Sequence, residues 1–279
     1  MTKRKTRHVL GISGGRDSAA LAIYMSHHHP ELNIEYFFTD TGKELPEVYR
    51  FLAKLEGVLG KPINQLNPDR DFDFWLKQHN NFLPSAQARW CTRKLKIKPF
   101  EEWVKPMIRE GYTVYSYVAI RSDEEYREGY NSKDDNLIVK LPFKDTGIDK
   151  AGVIEILNAS GIGLPEYYEW RSRSGCTFCF FQQKIEWVRL KERHPEAFEE
   201  AKSYEKEATA SGSPFTWSEG ESLDEMMMPE RVKQIRADHE NRLKRMKLKT
   251  QINPLRPNNE PIDIDDLYGQ AKVCLSCHK

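Results

Sequence analysis

The chain reads as an α/β protein: a doubly wound, mainly parallel sheet followed by a helical C-terminal extension. Three observations predict this. Short apolar runs alternate with longer amphipathic segments up to about residue 182, the pattern of a parallel sheet covered by helices on both faces. A glycine-rich turn, Ser13-Gly14-Gly15-Arg16-Asp17-Ser18, joins the first apolar run, Val9–Ile12, to the first helical pattern. Beyond residue 182 the pattern changes to charged helices with modest apolar faces.

The elements follow in order. Strands are predicted at His8–Ile12, Ile34–Phe38, Pro62–Leu66, Tyr112–Ala119 and Leu137–Leu141. Helices are predicted at Asp17–His28, Pro46–Leu59, Pro99–Arg109 and Lys150–Ala159. In the second helix Val48, Phe51, Leu52, Leu55 and Leu59 recur at helical spacing, so they form one buried stripe. Pro46 suits its first turn, where the missing N–H is no loss. Pro106 predicts a kink or break in the third. Gln182–Arg193, Pro195–Thr209 and Pro229–Leu248 read as the charged helices, with a turn or short linker at Ser211-Gly212-Ser213-Pro214. The division falls into residues 1–193 and a C-terminal extension, 194–279.

Composition narrows the function classes. Of 279 residues, 39% are hydrophobic and 30% charged, and the formal net charge of +1 gives no strong signal for nucleic acid or membrane. No apolar run is long enough to span a bilayer. The basic N-terminus leads directly into the first strand, so a cytoplasmic protein is expected. Basic clusters at Lys3–Lys5, Arg93–Lys98 and Arg242–Lys249 read first as solvated faces. His27-His28-His29 reads as a polar helix end, because adjacent side chains on a helix diverge. Met226-Met227-Met228 reads as packing.

The chemistry concentrates at the carboxyl ends of the predicted strands, where ligands bind in open α/β sheets. Glycines let a phosphate approach the backbone closely, the helix start offers unpaired N–H groups, and Ser13 and Ser18 add hydroxyls. Asp17 reads either as a helix cap or as a carboxylate for Mg²⁺. Asp40, at the end of the second strand, reads as an Asx turn before Gly42, or as a ribose or metal contact. Four of the five cysteines form C-x-x-C pairs, Cys176/Cys179 and Cys274/Cys277, and Cys91 stands apart. Without a secretion signal such pairs point to metal or redox chemistry. Spacing leaves an iron–sulfur cluster, a zinc site and metal-free thiols open.

The Ser13–Ser18 loop resembles the S-G-G-x-D-S pyrophosphate loop of the ATP pyrophosphatase superfamily, which implies an adenine nucleotide alpha hydrolase-like fold and cleavage of ATP between its α and β phosphates. Four further stretches, in family order, resemble the phosphoadenylyl-sulfate reductase branch: Thr39–Glu47, Trp90–Lys96, Ala119–Arg127 and Ser174–Cys179. The likeness covers roughly residues 7–200, about one domain. It implies that Ser13, Gly14, Gly15, Asp17 and Ser18 bind ATP with Asp40, Lys94 and Arg127. Asp17, Arg16, Arg93 and Arg121 would then serve catalysis, and Mg²⁺ would be required. It also implies a 4Fe-4S cluster on Cys91, Cys176 and Cys179, with Cys274 or Cys277 as a candidate fourth ligand.

Two features separate the branch's activities. The S-G-G-x-D-S loop is intact, except that Arg16 stands where lysine is common, and the terminus, Val273–Lys279, has cysteine and histidine but lacks the glutamate and glycine of the reductase Glu-Cys-Gly-Leu-His motif. With an intact phosphate loop, the chain resembles most the ATP pyrophosphatase component of DNA phosphorothioation systems. That implies a cysteine desulfurase and other modification proteins as partners, DNA as an acceptor bound weakly by this chain alone, no membrane, and room for a homodimer. A sulfate-assimilating reductase and a non-catalytic nucleotide-binding scaffold are the alternatives.

Overall fold

The computed structural model describes residues 5–252 apart from 68, 128, 130, 131, 133, 211, 213–215 and 219, and the side chains of 246–252 are not described. Five strands, β1 (Thr6–Gly11), β2 (Ile34–Phe38), β3 (Ile63–Gln65), β4 (Thr113–Tyr117) and β5 (Leu137–Lys140), form one sheet in the order β3-β2-β1-β4-β5. Every pairing is parallel; His8 lies opposite Ile34 on one side and Tyr115 on the other. All five predicted strands are present.

The pleat divides the core between two faces. Leu10, Tyr36 and Phe38 pack with α1 (Arg16–His28), α2 (Pro46–Leu59) and α7 (Lys150–Ala159). Val9, Phe37, Val114 and Leu137 face Val104 and Met107 of α5 (Lys98–Arg109), and Phe37 stacks on Phe100 at 5.0 Å. Successive residues of β1 and β2 thus serve opposite faces, as a doubly wound sheet requires. The α2 stripe is buried as its spacing demands: Val48 and Leu55 are wholly inaccessible and Phe51 and Leu52 nearly so. Each such side chain stabilises the fold by about 1.5–3 kcal/mol.

The break expected at Pro106 does not occur. Helix α5 continues through Pro106 to Arg109 without a break, with Pro106 on its solvent side, where the carbonyl left without a donor meets water. The stretch before it, for which no element was predicted, is α4 (Trp90–Thr92) followed by a π-helical turn, Arg93–Ile97. Pro99 offers no N–H to the carbonyl of Leu95 and crowds it, and the Lys98 N–H instead reaches back five residues to Arg93. Helix α3 (Phe72–Gln78) was also unforeseen; Asp71 caps it by accepting from the Phe74 N–H at 2.8 Å. Short helix α6 (Pro142–Thr146) follows β5.

Beyond the sheet come α8 (Lys184–Arg193), α9 (Pro195–Ala210), α10 (Leu223–Met226) and α11 (Pro229–Ile252). The predicted division at residue 193 falls between α8 and α9. Trp187, Phe198, Ala201, Trp217 and Met226 belong to the same buried cluster as Leu10 and Leu21. Glu205 ties the turn after α9 down, accepting from the Trp217 and Leu223 N–H groups at 3.0 and 2.6 Å. Burial raises its pKa, and those two N–H bonds oppose the rise.

Candidate active site

The chain leaves β1 outward to β2 and β3, then returns to β4 on the other side, so the crevice between the ends of β1 and β4 is the topological switch point. The glycine loop fills one lip. Gly14 holds φ +71, and a Cβ there would meet Val48 Cγ1 at 2.6 Å. At Gly15, a Cβ would meet Ser174 Oγ at 2.9 Å. Gly14 therefore needs glycine for conformation and space, whereas a Cβ at Gly15 would have to turn the Ser174 hydroxyl aside. Ser18 Oγ accepts from the Ser13 N–H at 3.1 Å and donates to the Gly15 carbonyl at 3.2 Å, closing the turn on itself. Tyr167, wholly buried, donates to the Gly14 carbonyl at 2.8 Å.

The helix N-cap is Gly15, so Asp17 lies inside the first turn of α1 and is not the cap. Its Oδ1 accepts from Arg121 Nη1 at 3.2 Å across the crevice. Arg121, in the loop after β4, also donates from Nε and Nη2 to the two oxygens of Asp123, at 2.9 and 3.1 Å. Burial works against its charge, but Asp17, Asp123 and Glu124 together outweigh that and raise its pKa. Arg127 donates from Nη1 to both Glu124 oxygens at 2.8 and 2.9 Å. Arg16 is buried with its guanidinium 5.2 Å from the Tyr168 ring centroid. Arg16, Asp17, Arg121 and Arg127 are thus brought together as a buried set of fixed charges.

Ser13 also lines a small cavity of about 60 Å³ shared with Cys91, Cys176 and Cys179. This is the juxtaposition that matters chemically: the phosphate loop and three thiols open on one space. The loop bearing Cys176 is held by backbone bonds. Buried Arg171 donates to the carbonyls of Gly175 and Cys176 at 3.1 and 2.6 Å. The Ser172 N–H donates to buried Glu186 at 2.6 Å, and the Thr177 N–H to the Lys43 carbonyl at 2.7 Å. Burial first, and the Glu44 carboxylate second, push the Cys176 thiol far up, while Lys96 acts in the opposite sense. Three thiols on one cavity are the donor chemistry of an iron–sulfur cluster. Among the described residues no three His, Cys, Asp or Glu side chains are grouped as a metal site.

The other predicted residues lie as follows. Asp40 Oδ1 accepts from the Gly42 N–H and the Tyr49 hydroxyl, both at 2.8 Å, which is the Asx turn. Arg93 and Lys94 line a different groove, with Lys94 Nζ 4.2 Å from the Trp75 ring. Cys274 and Cys277 lie outside the described residues. Lys96, Arg173, Ser174, Thr41, Glu44, Tyr167 and Arg171 escaped the sequence reading as site or supporting residues. Lys96 sits within the cysteine motif and Ser174 within the distal one, so proximity to those motifs was a usable signal; Tyr167 and Arg171 carried none.

Among the described residues no helix is long and apolar enough to cross a membrane. Residues 7–131 match the phosphoadenosine phosphosulfate reductase domain family. Two uncharacterized proteins of Methanocaldococcus jannaschii are similar. One is 25% identical over 192 residues, covering 67% of this chain and 44% of the relative; the other is 26% identical over 208 residues, covering 71% and 41%. The chain thus spans less than half the length of either. A phosphoadenylyl-sulfate reductase from Candida auris, solved with phosphate, is similar in structure: 15% identical, TM-score 0.47, covering 61% of this chain and 81% of that one. The likeness to the phosphoadenosine phosphosulfate reductase domain family is thus carried by residues 7–131, less than half of the chain.

Proposed function

We propose that this protein cleaves ATP to AMP and pyrophosphate to activate an acceptor for sulfur insertion, the acceptor being a DNA phosphodiester. The observation that carries the reading is that Ser13 of the phosphate loop and Cys91, Cys176 and Cys179 line one cavity. A reductase substrate with a single sulfate needs no cradle for β and γ phosphates, and here the S-G-G-x-D-S loop is intact. An acceptor oxygen attacks the α-phosphorus, the bond to the β-bridging oxygen breaks, and pyrophosphate leaves. Hydrosulfide then attacks the activated phosphorus, AMP departs, and the sulfur's proton goes to solvent.

Each residue has a role in this scheme. Ser13, Ser18 and the amides of Gly14 and Gly15 hold the terminal phosphates at the start of α1. Arg16 and Arg121 neutralise charge developing on the leaving pyrophosphate. Asp17 holds Mg²⁺, which screens the phosphates, and gives up its contact with Arg121 to do so. Arg127 fixes Glu124 and with it the loop after β4. Cys91, Cys176 and Cys179, as thiolates, would hold an iron–sulfur cluster, which supplies an iron able to carry sulfide. A cysteine desulfurase supplies the sulfur.

Product analysis tests the reaction. AMP and pyrophosphate in the presence of Mg²⁺ support it, and ADP with phosphate as the sole products overturns it. Deleting the gene from its native host and digesting the DNA for mass spectrometry tests the acceptor; loss of a phosphorothioate-linked dinucleotide supports it. The family match favours a second reading, reduction of phosphoadenylyl sulfate. Unchanged DNA together with a new growth requirement for cysteine or sulfite would establish that reading instead.

A further inference from the structure

Thr92 lines the cysteine cavity and also a larger groove of about 710 Å³. The groove displays five cations, Arg89, Arg93, Lys94, Lys98 and Lys105, against two carboxylates, Glu101 and Asp134. Lys98 is further paired with Asp69 at 3.2 Å and Glu102 at 3.6 Å. From Lys94 to Lys105 the cations run along roughly three turns of helix, about 16 Å. An aromatic platform adjoins this row. Lys94 Nζ lies 4.2 Å from the Trp75 ring, Trp75 meets Phe74 at 5.3 Å, and Phe74 is 36% exposed with the Arg70 guanidinium 5.1 Å from its centroid. At the cavity end, the Arg89 guanidinium lies 5.1 Å from the ring of Phe181, which lines the cysteine cavity.

We propose that this groove seats a single-stranded nucleic acid, its phosphates on the cation row and a base stacked on Phe74, and leads the strand past Thr92 to the cysteine cavity. A row of cations beside an exposed aromatic ring is the combination that single strands use. An acidic peptide would engage the cations but leave the ring without a partner, and a duplex has no free base face to stack. The groove stands on its own charge and shape; only its link to sulfur insertion rests on the function proposed above.

The test titrates the full-length protein, without ATP, against a short fluorescent DNA strand, the same sequence as RNA, and the duplex, across a salt series. Either single strand should bind more tightly than the duplex, the tighter one identifying the natural class. Log affinity should fall linearly with log salt. Lys98→Glu with Lys105→Glu should weaken binding about tenfold or more and lower the slope by about 1.4, at roughly 0.7 for each lost phosphate contact. The milder pair Lys98→Gln with Lys105→Gln should act in the same direction, and thermal melts confirm that both variants are folded. Phe74→Ala should weaken single-strand binding about fivefold or more and leave the salt slope unchanged. Lys233→Glu, an exposed site on α11, should change neither. Equal binding of duplex and single strand, equal competition by polyglutamate, or indifference to the groove variants would overturn the proposal. With no ATP present, lost binding overturns the groove alone, and absence of AMP formation overturns the activity alone.

Discussion

On one side of the glycine loop, Arg121 is held by the carboxylates of Asp17 and Asp123, and Arg127 by Glu124. On the other side, Cys176 is placed through its main chain, its carbonyl accepting from Arg171 and its neighbour Thr177 donating to the Lys43 carbonyl, while its Sγ meets Thr41 Oγ1 at 3.3 Å and Glu44 Oε1 at 3.8 Å. The first arrangement fixes charge in a buried crevice, where a field acts strongly because water does not screen it. The second fixes backbone and sets the sulfurs on a cavity, with Cys176 also against the Thr41 hydroxyl. The difference matches two kinds of task. A phosphate leaving group needs charged groups already in position, whereas a sulfur site needs donors on a loop that does not drift.

The largest break in this comparison should come from the charged side. Asp17→Ala should lower ATP turnover by at least about a hundredfold, measured as AMP release, while Arg121 keeps Asp123 and the melting curve stays cooperative. A comparable loss in Asp123→Asn would make the crevice one charge unit; a small loss would single out Asp17. Gly14→Ala strikes the loop between the two sides. The positive φ and the 2.6 Å approach to Val48 should together cost about 2–4 kcal/mol in a urea melt. Adding Val48→Ala should recover only the steric share, which separates space from conformation.

On the cysteine side, Arg171→Met should leave the crevice intact but free two carbonyls. Amide exchange over Cys176–Cys179 should then accelerate, with about 1–3 kcal/mol of local stability lost. Unchanged exchange would mean that Glu186 and the Lys43 carbonyl hold the loop unaided. The smallest effect belongs to a control remote from both sides. Hydrogen bonding from Arg231 and, after it, Lys184 outweighs desolvation and holds the Glu221 carboxyl down to about 2. A depressed carboxylate stabilises the fold above its unfolded value, about 4.3, and loses that contribution as pH falls through the folded one. Wild type should therefore exceed Glu221→Gln in stability at neutral pH, and the gap should close between about pH 4 and pH 2.

The strands and long helices were legible because each depends on its own residues. The α2 stripe, the first-turn Pro46 and the apolar runs at β1 and β2 state their structure locally, and those elements lie where periodicity put them. The glycine loop was legible for the same reason: a turn needing φ above zero declares itself as glycine. Tertiary structure decided what local pattern does not encode. Proximity in space drew Asp17 to Arg121, separated by 104 residues. It put Ser13 on the same cavity as Cys91, Cys176 and Cys179, and sent Arg93 and Lys94 to a different groove from their motif neighbour Lys96. That last parting follows from helical phase, because residues two apart, such as Lys94 and Lys96, face nearly opposite sides of a helix. The sequence by itself determined the elements and the chemistry they carry. Sheet order, helical phase and burial decided which of those groups share a site, because these depend on contacts between residues far apart in the chain.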